Sequence, residues 1–102
     1  MASSELLRFG IIGAVGRGAG FVRALHANPQ TCITALCDIQ EEVLRQRAEE
    51  MGVVLTYTNA EQMMDSGEVD AVIVATPMHL HAEQSILALE RGLHVLSEVP
   101  AV

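Results

Sequence analysis

The sequence predicts an α/β fold: a doubly wound parallel sheet of five strands in the order 3-2-1-4-5. Three observations predict it. Short apolar runs alternate with stretches of helical periodicity. Helices between the strands make the connections crossovers, which joins parallel strands. One run, Val69 to Thr76, is apolar on both faces, as a strand covered by helices on both sides must be.

Each element has its own signal. Phe9, Ile11 and Ile12 form the first strand, closed by Gly13. Residues 17–27 place Phe21, Val22 and Leu25 on one helical stripe that Pro29 ends. Ile33 to Cys37 is the second strand, ended by Asp38. From Glu41 to Met51, Leu44, Ala48 and Met51 recur at helical spacing; glutamates start the segment and Gly52 follows it. Val53 to Tyr57 is the third strand, rich in β-branched residues. Asn59, with Gln62 three residues on, resembles a capping box for a short helix through Met63 and Met64. After the fourth strand, residues 79–91 predict a helix that buries Ala82, Ile86 and Leu89 and closes at Gly92. His94 to Leu96 is the fifth strand.

At 102 residues, residues 1–102 read as a single domain. Half of the residues are apolar and 19% are charged, which suits a packed core and excludes a disordered chain. A net charge of −7 argues against nucleic acid or an anionic membrane as partner. All 6 cationic side chains are arginine. Without lysine, Schiff-base chemistry and a Walker-type phosphate lysine are excluded. No apolar run approaches the roughly 18–20 residues of a membrane span, and the N-terminus lacks a secretory pattern. Cys32 and Cys37, five apart on one strand, are expected on opposite sheet faces as reduced thiols of a cytoplasmic protein.

The chemistry gathers at two places. The first strand runs into Gly13-Ala14-Val15-Gly16-Arg17-Gly18-Ala19-Gly20 and then a helix. A glycine-rich turn there presents free amides and a positive dipole end to a dinucleotide's diphosphate. In the G-x-G-x-x-G register Gly13 makes the turn and Gly18 allows close packing, while Val15 adds a side chain where the diphosphate approaches. Gly16 compensates if the loop shifts by one residue. Arg17 opposes the helix dipole, which makes better sense with an anion nearby. The plainer alternative is that these glycines serve packing alone.

Asp38 closes the second strand twenty residues after Gly18. A carboxylate there accepts hydrogen bonds from an adenosine ribose and repels an added 2′-phosphate, so NAD is expected over NADP. Its other reading is a cap for the next helix.

With those residues, Phe9-Gly-Ile-Ile-Gly13, Ala35-Leu-Cys-Asp38, Val69 to Pro77 with His81, and Ala88 to Pro100 resemble the glucose–fructose oxidoreductase / inositol dehydrogenase / rhizopine-catabolism (Gfo/Idh/MocA) family. The similarity covers residues 6–101. It implies a Rossmann domain binding NAD(H) or NADP(H), with hydride exchange to a sugar, polyol or similar small molecule. It also implies a C-terminal substrate domain, which is absent from this sequence, so no turnover is expected from this chain alone and no catalytic residue is assigned within it. NAD-dependent glycoside hydrolases share the family, and one of these is an alternative reading. A non-catalytic nucleotide-binding or interaction module is the other.

The resemblance places Thr76, Pro77 and Glu98 at the nicotinamide side and makes His81, rather than His79, the pocket histidine. Surface capping by the histidines and a solvent-exposed strand-end Glu98 remain the plain alternatives. Three positions depart from the family pattern: Val15, Met78 for asparagine, and Val99 for the lysine of Glu-Lys-Pro. No metal site is expected, since His79 and His81 are two apart with no further ligand beside them. The open edge of the sheet is expected to pair with a second copy or a partner chain.

Overall fold

The structure, a computed structural model, describes residues 6–15 and 29–97. The helix expected over residues 17–27 lies outside them. The strands are β1 (Leu7–Ile12), β2 (Thr31–Cys37), β3 (Leu55–Tyr57), β4 (Ala71–Val74) and β5 (His94–Ser97). The helices are α1 (Glu41–Met51), α2 (Ala60–Met64) and α3 (Met78–Glu90). The strands form one sheet in the order β3-β2-β1-β4-β5, and each neighbouring pair is parallel.

The local signals act as expected in α1 and α2. Leu44 and Ala48 are buried, and Gly52 ends α1 in the left-handed conformation at φ 74°, its N–H returning to the last turn. The Asn59 side chain accepts from the Gln62 N–H at 3.0 Å and caps α2. All four residues of β4 are buried, consistent with a strand covered on both sides.

The core forms two layers. On one face Ile11, Leu36 and Ile73 pack against Leu44 and Ala48 of α1. On the other, Ile12, Cys37, Val72 and Val74 pack against Met63 and Met64 of α2 and Ala88 of α3. At the amino ends of the strands, Arg8 joins β1 to the residue before β4 through a two-pronged ion pair with Asp70. Its Nη2 lies 3.0 Å and its Nε 3.1 Å from the two carboxylate oxygens, and the Arg8 backbone N–H donates to the same group. At the same end of the molecule, Arg91 donates to Asp65 and Glu61 and clamps α3 to α2.

Two expectations are corrected. The helix at 78–90 does not bury Ala82, Ile86 and Leu89: Ala82 is exposed, and Ile86 and Leu89 are 54% and 61% exposed. Its inward stripe is instead His81, Gln84, Ser85 and Ala88, flanked by Leu80 and Leu87. This helix carries apolar residues around its whole circumference, so periodicity does not choose a face. The small Ala88, fully buried, sits where the helix meets the sheet.

Cys32 and Cys37 do not face opposite ways. Arg8 lies beside Cys32 and Ile12 beside Cys37, so the pairing with β1 slips by one residue between Ile33 and Ala35. That extra residue is a bulge in β2. It resets the alternation and returns both cysteines to one face. Both are free thiols; Cys32 is half-buried and Cys37 buried.

Candidate functional site

A crevice of about 790 Å³ opens at the carboxyl ends of β1, β2 and β4. Ile12 and Gly13 come to it from β1, Cys37 to Gln40 from the end of β2, and Thr58 and Ala60 from the start of α2. Ala75, Thr76 and Pro77, with His79, Leu80 and Gln84 of α3, form the opposite wall. A parallel sheet gathers residues there because the chain leaves each strand on the same side, and neighbouring strands depart in opposite directions where the order reverses.

Gly13 makes the turn that opens the crevice. Its φ is +87°, and a Cβ there would lie 2.9 Å from the Ala75 carbonyl oxygen. Both the left-handed backbone and the contact with the end of β4 demand glycine. The Gly13 and Ala14 amides donate to the Cys37 carbonyl at 2.9 and 3.1 Å. The Val15 amide donates to Asp38 Oδ2 at 3.0 Å. The first three amides of the turn are therefore bound to the end of β2.

Asp38 is held from both sides. Its Oδ1 accepts the Gln40 N–H at 3.1 Å, and Gln40 rather than Asp38 is the residue that precedes α1. A carboxylate has about four lone-pair directions, and these two bonds use two of them. Among the described residues nothing takes the remaining direction on either oxygen. Beside it, burial, with a smaller push from Asp38, raises the Cys37 thiol to about 12, so this sulfur is neutral and unreactive near neutral pH.

On the far wall the Thr76 hydroxyl donates to Gln84 Oε1 at 2.5 Å. Gln84 was not anticipated from the sequence. The signal was present as a glutamine on the inward stripe of α3, hidden by the wrong choice of face.

Of the residues singled out in the sequence, the structure brings Gly13, Asp38, Thr76 and Pro77 together around this crevice. Val15 does not line it; the side chain is partly buried against the core cluster of Ile11 and Leu44. His81 does not line it either. It is half-buried on the inward face of α3, and its Nε2 is buried without a hydrogen-bond partner among the described residues, while His79 lines the crevice instead. Gly16, Arg17, Gly18, Glu98 and Val99 lie outside the described residues, and Met78 opens α3. Among the described residues no group of three or more histidine, cysteine or acidic side chains could hold a metal.

The model of the GFO_IDH_MocA oxidoreductase family, NAD-binding Rossmann fold, matches residues 7–102. The chain belongs to the Gfo/Idh/MocA oxidoreductase family. It is 34% identical over 106 residues to a glycosyl hydrolase family 109 protein of Solibacter usitatus, covering 93% of this chain and 24% of that protein. Among solved structures it matches myo-inositol 2-dehydrogenase from Lactobacillus plantarum with a TM-score of 0.86 and 35% identity, over 94% of this chain and 29% of that one. It also matches the WlbA dehydrogenase from Bordetella pertussis, solved with NADH and UDP-GlcNAcA, with a TM-score of 0.83 and 26% identity over 91% of this chain and 28% of that one.

The chain is thus the NAD-binding Rossmann domain of a Gfo/Idh/MocA protein, and it spans about a quarter of the length of the relatives it matches. Its residues fit the cofactor. Gly13 leaves the turn bare of a side chain, and among the described residues nothing takes the two remaining acceptor directions of Asp38 and no arginine lines the crevice to favour an extra phosphate. No helix among the described residues is long and apolar enough to cross a membrane.

Proposed function

We propose that this chain is the cofactor half of an oxidoreductase acting on a sugar, polyol or similar small molecule, with NAD laid across the carboxyl ends of β1, β2 and β4. The observation that carries the reading is the meeting of Gly13, Asp38, Thr76 and Pro77 around one crevice. Asp38 takes the hydroxyls of the adenosine ribose. Because the amides of residues 13–15 are already bound to β2, the diphosphate takes the amides that follow, at Gly16, Arg17 and Gly18. The family resemblance assigns Thr76, Pro77 and Glu98 to the nicotinamide half. When bound, NAD supplies the hydride acceptor, and the protein positions it and excludes water.

In this reading residues 1–102 form one domain that holds the cofactor. A cytoplasmic setting fits its free thiols. β5 is at one edge of the sheet, and Leu96 on it is 45% exposed, so a second copy or a partner chain pairs there. Light scattering checks this: a monomer at high concentration overturns the pairing.

A second reading rests on the 34% identity to a protein named as a glycosyl hydrolase: the same cofactor site would then serve NAD-dependent glycoside cleavage. Calorimetric titration with NADH and NADPH tests the shared claim. The expected result is saturable NADH binding with NADPH at least about tenfold weaker, since Asp38 faces the 2′-phosphate. Absence of NADH binding overturns it, as does equal affinity for the two. Dehydrogenase activity of the purified chain on a polyol or sugar would overturn the assignment of no turnover.

A further inference from the structure

We infer that a second copy of this chain covers the outer flank of α3 together with the open edge of β5, the two α3 helices packing antiparallel across a two-fold axis; the inference rests on the edge pairing proposed above. The helix is turned inside out. Ala82, Ile86 and Leu89, which helical spacing groups on one stripe, face outward, with Ile86 54% and Leu89 61% exposed. The inward side carries His81, Gln84 and Ser85, and His81 Nε2 and Ser85 Oγ are buried with no hydrogen-bond partner among the described residues. A lone helix in this setting is unfavourable twice over, through unpaired polar atoms inside and apolar side chains in water. A partner on the outer flank removes the second of these.

The strand beside this helix is open in the same direction. The His94 N–H donates to the Asp70 carbonyl, so His94 and Leu96 turn their backbone groups to β4, and Val95 and Ser97 turn theirs outward. β5 pairs with β4 without a register slip, so no bulge blunts the edge, and it carries neither proline nor lysine. The geometry selects the partner. α3 lies over β4 and β5. Strands sit about 4.8 Å apart, so a two-fold axis beside β5 sets the two helices about two spacings apart, near 10 Å. Packed helices lie about 8–10 Å apart. Two steps of sheet twist, each about −20 to −25°, cross the helices at about −40 to −50°, the commonest packing angle. A helix of another protein would cover the stripe and leave the strand edge bare, and a lone strand would do the reverse. A second copy brings both at the matching spacing.

Sedimentation equilibrium at rising concentration and two salt levels tests this, with amide exchange of the same samples read by NMR. The expected result is a shift from one copy to two by roughly millimolar concentration. The shift should come earlier in high salt, since each copy carries a net charge of −7. Ile86→Glu combined with Leu89→Glu is expected to weaken the association by at least about a hundredfold, because four apolar side chains lose their cover and four like charges meet. The Val95 and Ser97 amides of the wild type should exchange more slowly as the concentration rises. That measurement needs no variant, and it decides the matter if circular dichroism shows the double substitution unfolded. A monomer at every concentration and salt overturns this inference together with the edge pairing, as does a dimer that leaves those two amides unprotected. A dimer that protects them and ignores the double substitution overturns the helix packing alone.

Discussion

The backbone amide of Val15 donates to Asp38 Oδ2 at 3.0 Å. The bond ties the glycine turn after β1 to the end of β2, and it uses the carboxylate to which the ribose is assigned. In the proposed reading Asp38 therefore has two duties, fixing the turn and receiving the sugar. Val15 joins this arrangement through its backbone, while its side chain packs against the core. The valine at the second fingerprint position thus does not obstruct the crevice.

Replacing Asp38 by alanine should weaken NADH binding by about ten- to a hundredfold, since at least one charge-assisted hydrogen bond is lost. Asp38→Asn should recover part of this, because one amide oxygen can accept from only one of the two N–H donors comfortably. Fluorescence titration of NADH checks both.

Val15→Gly keeps the amide and removes the packing. It should leave NADH affinity within about threefold and lower stability by about 1–2 kcal/mol, from lost apolar burial and added backbone freedom. Urea unfolding together with the same titration measures the split. A large gain in affinity would contradict the placement of this side chain.

Gly13→Ala meets a positive φ and a carbonyl oxygen 2.9 Å from the new Cβ. The expected loss is about 1–3 kcal/mol, visible as a lower urea midpoint, with NADH binding lost through displacement of the turn.

Asp70 gives a pH signature. Hydrogen bonds from the Arg8 side chain, then from its backbone N–H, hold this carboxyl below the usual carboxylate range. A depressed folded value means that the stabilisation is present above the ordinary aspartate pKa of about 3.9. It is lost as the pH falls through the folded value. Asp70→Asn should flatten that acidic limb of the stability profile and leave NADH binding near neutrality unchanged, since the pair lies at the opposite end of the strands from the crevice.

The sequence made some of this legible and hid the rest for physical reasons. Glu41–Met51 reads cleanly because acidic start, apolar stripe and Gly52 all agree. Asn59 and Gln62 likewise announce α2. Asp38, Gly13 and Thr76 are legible as strand ends, and parallel topology brings strand ends together. The slip in β2 between Ile33 and Ala35 is a property of its pairing with β1, which no local pattern encodes. The inward face of α3 is ambiguous because apolar residues surround the helix. The larger Ile86 and Leu89 mask the inward stripe that carries Gln84, while the preference for His81 over His79 comes from the family resemblance.

The most direct measurement is NADH titration of the 15N-labelled chain followed by NMR. The account predicts saturable shifts at the amides of Gly13, Val15, Asp38, Gln40 and Thr76, with Arg8, Asp70 and His94 unmoved. Saturation with shifts centred away from the ends of β1, β2 and β4, or no shifts at millimolar NADH, would contradict it.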